Sequence, residues 1–191
     1  MVRGPLACVV VACVAFAAEA QSPPGVSREG PALVLQVDGS RPVRIIDSTT
    51  GDQRRHELVA WWPDHRLYVV DVVMHEARQA YLVSARDGHI TTVAAPPVLS
   101  PSGRYAIAWE PSPLIGNPME LVDLRGDRPI VRKVEGKPAC PGIGRQDGIR
   151  PDPVWIDGDR VAFEGKSLFS GDDPNARQVL RIADGMPSWE C

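Results

Sequence analysis

From residue 31 onward the apolar positions fall in short runs rich in β-branched and aromatic side chains. Each run is closed by Gly, Pro, Asp, Asn or Ser, and almost nowhere do apolar residues recur at helical spacing. Three runs open alike: Trp62-Pro63-Asp64-His65-Arg66-Leu67-Tyr68, Ser100-Pro101-Ser102-Gly103-Arg104-Tyr105-Ala106, and Trp155-Ile156-Asp157-Gly158-Asp159-Arg160-Val161. Each is a tight turn, an arginine and a segment of strong strand propensity. A second strand running into another turn follows every opening: Ala80 to Gly88, Glu120 to Asp127, and Val179 to Gly185. A third strand is legible after two of them, His89 to Val93 and Pro129 to Val134. Ahead of the first opening, Ala32 to Ser40 and Pro42 to Ile46 match the second and third strands only.

Arg66 and Arg104 are 38 residues apart, and Arg104 and Arg160 are 56 apart, so the period is near 40 with one long insertion. Three or four strands at that period predict an all-β chain of about three to four small antiparallel units, either propeller-like or an open stack of β-sheet repeats.

At these residues, and best at Ser100 to Trp109, the chain resembles the propeller repeats of the WD40-like and TolB-like (PD40-type) families. Their units read roughly Ser-Pro-Asp-Gly-Arg followed by an apolar strand. The resemblance covers about residues 60 to 185. It implies a propeller serving mostly as a platform for binding partners, with enzymes among some members and no common catalytic residue. Propellers close with four to eight blades. Two full units, a weaker third and a half unit leave a curved open stack or a two-sheet sandwich as equal solutions.

The first twenty residues follow a different pattern. Arg3 gives a basic start, an apolar run extends from Pro5 to Phe16, and Ala18-Glu19-Ala20 offers a small-x-small site before Gln21. These are the three parts of a secretory signal peptide. The run is shorter than the roughly 20 apolar residues that a membrane-spanning helix needs, so no membrane span is expected. Cleavage after Ala20 would place the chain outside the cytoplasm, in the periplasm or secreted. A rival reading makes Cys13, after Val10-Val11-Ala12, a lipidated residue. The organisation expected is therefore a signal peptide over 1–20, a flexible linker over 21–30 and a single β-repeat domain over 31–191.

Removing 20 of the 191 residues leaves 171, enough for one domain with a real core. The formal net charge of −3 gives no overall field to attract nucleic acid or anionic lipid. Of four cysteines, Cys140 and Cys191 lie outside the leader. In an oxidising compartment an even pair is expected to form a disulfide. Closing that loop of 52 residues would stabilise the fold by about 4 kcal/mol in the chain-entropy account.

Catalytic and cofactor fingerprints are wanting. Gly165-Lys166-Ser167 resembles the end of a phosphate loop, but position 160 is Arg where that loop needs Gly. No serine sits in a Gly-x-Ser-x-Gly elbow. His56, His65, His75 and His89 with Asp64 and Asp71 lack the close ligand pairs that announce zinc, and Asp172-Asp173-Pro174-Asn175 lacks the spacing of a calcium loop. No cofactor is expected.

Two surfaces remain for a ligand. In a strand, one of Trp61 and Trp62 must face away from its neighbour's core. An exposed Trp61 beside Arg54, Arg55 and His56 would suit a sugar or a peptide; in a stacked sheet the same residue is buried on the second face. The other surface is the stretch Glu135 to Pro153, nineteen residues of Gly, Pro and charge with no strand pattern. The expected function is thus an exported, non-catalytic binding or interaction module for a protein, peptide or carbohydrate. An extracytoplasmic hydrolase or metal-dependent enzyme is the alternative.

Overall fold

The structure, a computed structural model, describes residues 23, 25–51, 53–75, 77–110, 118–134, 153–163 and 178–190. Every regular element among them is a strand, and the strands form four small antiparallel meanders. Sheet 1 holds β1 (Val26–Glu29), β2 (Ala32–Leu35) and β3 (Val43–Ile46). Sheet 2 holds β4 (Arg54–Trp62), β5 (Leu67–Met74), β6 (Arg78–Ser84) and β7 (Ile90–Val93). Sheet 3 holds β8 (Val98–Leu99), β9 (Tyr105–Trp109), β10 (Met119–Asp123) and β11 (Ile130–Lys133). Sheet 4 holds β12 (Pro153–Trp155), β13 (Arg160–Phe163), β14 (Gln178–Ala183) and β15 (Met186–Glu190). In each sheet the strands lie side by side in chain order.

The three look-alike openings are the turns β4–β5, β8–β9 and β12–β13, so each unit carries one more strand than the pattern shows, ahead of its turn. In each unit the turn carbonyl accepts from the backbone at the end of the third strand. Ala85 N–H donates to Arg66 (2.8 Å), Leu124 N–H to Arg104 (2.9 Å), and Ile182 N–H to Asp159 (2.8 Å). The repeated arginine, in contrast, finds a different acid each time. Arg66 meets Asp38 of sheet 1 at 2.7 Å, Arg104 meets Asp159 of sheet 4 at 2.5 Å, and Arg160 meets Asp157 of its own turn at 2.8 Å.

The sheets bury their faces against one another in sequence. Leu33, Leu35 and Ile45 of sheet 1 meet Tyr68, Val70 and Val83 of sheet 2. The opposite face of sheet 2, with Trp62, Leu67, Val69 and Leu82, meets Ala106, Ala108 and Val122 of sheet 3. The other face of sheet 3, with Tyr105, Ile107 and Leu121, meets Val161, Phe163 and Leu180 of sheet 4. Burial on both faces explains why β5 and β9 read as continuous apolar runs rather than alternating ones.

Two strands fall outside the pattern of the sequence. Val26–Glu29, read as part of a linker over 21–30, forms β1, pairing Val26 with Leu35 through to Glu29 with Ala32. Its sequence, VSRE, is an exposed polar edge without an apolar alternation to betray it, and the left-handed turn at Gly30 (φ 57°) folds it back onto β2. The last unit also has a final strand that went unread, β15, whose Pro187 is tolerated because it lies on a sheet edge. Cys140, Cys191 and the stretches 135–152 and 172–175 lie outside the described residues, as does the leader.

Candidate functional site

The residues singled out at Arg54, Arg55 and His56 open β4, where it leaves the connection from β3. That connection, residues 47–53, is anchored at its base by a backbone pair between Ser48 and Arg54, both bonds 3.0 Å. Asp47 ends β3's course and projects at His56. Its Oδ1 accepts both the His56 backbone N–H and the ring Nδ1–H, each at 2.9 Å. Its Oδ2 accepts from Arg28 Nη1 of β1 at 2.7 Å, and the same guanidinium donates to the His56 carbonyl. Three residues from β1, β4 and the connection are thus tied at the junction of sheets 1 and 2.

Burial alone would raise the Asp47 carboxyl above its ordinary value of 3.8; the hydrogen bonds from His56 and Arg28 outweigh it and hold the group lower. His56 is 3% exposed, and its ring stacks on Tyr81 of β6 with centroids 5.9 Å apart and planes 24° from parallel. Because a carboxylate only accepts, the Nδ1 proton of His56 is fixed towards Asp47, and Nε2 is the nitrogen left for other chemistry.

Two clefts flank the connection. One, of about 460 Å³, lies between sheets 1 and 2 and is walled by Arg44, Arg54, His56, Ile46, Tyr81 and Ile90, with Ser48 and Thr50 at its lip. The other, of about 550 Å³, sits across the connection against the end of β5, between Asp47, Gln53, Arg54, Arg55, Met74 and His75. Arg54 and Ser48 line both. Arg55 is exposed and pairs with Glu57 at 2.5 Å. Ser48 donates its hydroxyl to the Thr50 carbonyl at 2.8 Å.

Trp61 lines neither cleft. It is half-buried against the sheet 1 side of sheet 2, tilted over Tyr68 with ring centroids 4.6 Å apart, while Trp62 is buried in the core shared with sheet 3. The register shift between Leu58 and Ala60 puts Trp61 on the same face as His56 and Leu58 in spite of the odd spacing. Arg54 and His56 therefore come together at one site and Trp61 does not join them. Asp47 and Tyr81 were missed: the first is nine residues from His56 across a turn, and the second is a neighbour only once β4, β5 and β6 are paired.

Among the other histidines, His65 lies in the β4–β5 turn and His75 is exposed at the end of β5. No group of three or more His, Cys, Asp or Glu among the described residues is placed to hold a metal ion. No helix among them is long and apolar enough to cross a membrane, which says nothing of strands. No protein-family model matches the chain, and no curated protein and no solved structure matches it either.

Proposed function

We propose that the chain is an exported, non-catalytic binding module in which four propeller-like sheets of the WD40-like or TolB-like kind hold one ligand site at the junction of sheets 1 and 2. The observation that carries this reading is the pair of clefts sharing Arg54 on a scaffold in which the facing surfaces of neighbouring sheets are engaged in packing. Their volumes fall in the range of about 300–1,000 Å³ usual for small-ligand sites. The Asp47–His56–Arg28 tie fixes the wall before a ligand arrives, which lowers the entropic cost of binding. Export rests on the leader: protein recovered from the host envelope should begin at Gln21, whereas a mass carrying lipid at Cys13 would replace that cleavage site. Screening a fragment set against ¹⁵N-labelled protein tests the site. Shifts clustered at residues 44–56 support it; binders that leave those amides unmoved refute it.

One observation favours the alternative of an extracytoplasmic hydrolase. His56 is oriented by Asp47 as a general base requires, and Ser48 lines the same cleft. The Ser48 hydroxyl, however, is engaged with Thr50. Hydrolysis of p-nitrophenyl acetate that vanishes in both His56→Ala and Ser48→Ala would establish that reading in place of the first.

A further inference from the structure

The geometry points to an open docking edge on sheet 1, at β1, that takes an extended peptide from another chain as its fourth strand. Sheets 2, 3 and 4 each begin with a leading strand, β4, β8 or β12, on the edge where sheet 1 has none. Sheet 1 is otherwise built as they are. The Gln36 N–H donates to the Gly25 carbonyl at 3.2 Å, as Ala85, Leu124 and Ile182 donate to their own turn carbonyls. Val26 therefore stands where Leu67, Tyr105 and Arg160 stand, first on the strand that a leading strand pairs with. Bonding in an antiparallel ladder alternates between the two edges of a strand. Ser27 and Glu29 accordingly bond to β2, and the N–H and C=O groups of Val26 and Arg28 point to the open edge. No described backbone group pairs with them there, and Ser27, Arg28 and Glu29 are exposed. An edge in this state is a template for an added strand.

Trp61 marks what is missing. It pairs with Tyr68, the second residue of β5, just as Trp155 pairs with Val161, the second residue of β13. Both tryptophans face the preceding sheet. Trp155 donates its indole N–H to the carbonyl of Val98, in the leading strand of sheet 3, at 3.0 Å. The matching carbonyl for Trp61 would belong to a leading strand of sheet 1, and the Trp61 indole makes no hydrogen bond to a described residue. Val26, Leu58 and Trp61 are only half-buried where they meet the shared core, so a strand laid there covers apolar surface.

The occupant comes from outside the exported chain, a step that rests on cleavage after Ala20. The loop behind a leading strand has four residues in sheets 2 and 3 (63–66 and 101–104) and three in sheet 4 (157–159). A loop of that length ending on Gly25 starts at residue 22 or 23, which leaves at most Gln21 and Ser22 ahead of it. Directly opposed residues of an antiparallel pair share a face. The peptide residues opposite Val26 and Arg28 therefore turn towards sheet 2 and Trp61, and those opposite Ser27 and Glu29 turn away from it. The partner is a strand of alternating apolar and polar residues, with its apolar residues donating their N–H groups to β1.

The test uses the ¹⁵N-labelled chain beginning at Gln21 and the acetylated, amidated peptide Lys-Val-Thr-Val-Thr-Val-Lys. Without peptide, the amides of Val26 and Arg28 should exchange with solvent fast and those of Ser27 and Glu29 slowly. The peptide should slow the first pair and shift the Trp61 indole signal. N-methylation of its valines should weaken binding about tenfold or more, whereas N-methylation of its threonines should change it less than about twofold. Trp61→Phe should weaken binding about fivefold, with slow exchange at Ser27 and Glu29 showing that the variant is folded. Equal binding of the three peptides, stronger blocking by the threonine methyls, or binding that leaves Val26 and Arg28 fast overturns the proposal. Slow exchange at those two amides in the dilute, peptide-free monomer overturns it as well, because the edge is then already filled. Protection that grows with protein concentration alongside a doubled mass assigns the edge to a second copy instead. Intact mass of the exported protein tests the cleavage separately: a start other than Gln21 removes the export reading, while the exchange pattern alone decides the edge.

Discussion

Replacing Asp47 by alanine should loosen the junction of sheets 1 and 2 by an amount the geometry sets. The carboxylate accepts two hydrogen bonds from His56, whose side chain is almost wholly buried, and one from Arg28, which is more exposed. Stranding a buried donor costs about 1–3 kcal/mol, and two are stranded here. The Arg28 pair adds under about 1 kcal/mol because water screens it. A loss of about 3 kcal/mol follows, equivalent to about 6–12 °C in Tm for a domain of this size. Urea unfolding followed by tryptophan fluorescence measures it, since Trp61 sits at this junction.

The pH dependence supplies a second readout. The Asp47 carboxyl is held below 3.8 in the folded protein, so its contribution is present in full above that value and is lost as pH falls through the lower, folded one. The gap between wild type and Asp47→Ala should therefore be widest at neutral pH and should narrow below about pH 4. A variant within about 0.5 kcal/mol of wild type, or a gap that stays constant down to pH 3, would refute the reasoning.

Three further outcomes follow from the same packing. Tyr68 donates its hydroxyl to the Gln36 carbonyl at 2.9 Å, joining sheet 2 to sheet 1, so Tyr68→Phe should lower unfolding free energy by about 1 kcal/mol in a urea titration. A Cβ on Gly158 would stand 2.9 Å from the Ser102 Cβ at the contact of two unit turns. Gly158→Ala should accordingly cost about 1–3 kcal/mol, and Ser102→Gly in the same chain should recover part of that loss, read as a coupling in a double-mutant cycle. Denatured, unreduced protein purified from an oxidising compartment should show no free thiol at Cys140 or Cys191; two reactive thiols would exclude the disulfide.

The unit structure was legible because a turn, an arginine and a strand recur in the chain itself, and β5, β9 and β13 begin where those openings place them. The all-β class followed from the same runs. What escaped notice were the edges. VSRE of β1 and the proline-bearing β15 have little apolar alternation because none of their side chains is fully buried, and the leading strand β8 is two residues long. The site was half legible. Arg54 and His56 stand a few residues before the paired tryptophans and drew attention through them, yet Trp61 shares their face only further along β4, where it is half-buried over Tyr68. The partners that give His56 its setting, Asp47, Arg28 and Tyr81, come from three other segments. Only strand pairing and sheet stacking bring them together, and periodicity carries no information about that.

The stacking order of the four sheets underlies every statement about the site, and nuclear Overhauser contacts between methyl and aromatic protons read it directly. Contacts are expected from Leu35 to Tyr68, from Leu82 to Ala106 and from Leu121 to Leu180, one pair for each shared core. Contacts that instead join Leu35 to Leu121, or that leave Tyr68 without any neighbour from sheet 1, would contradict it.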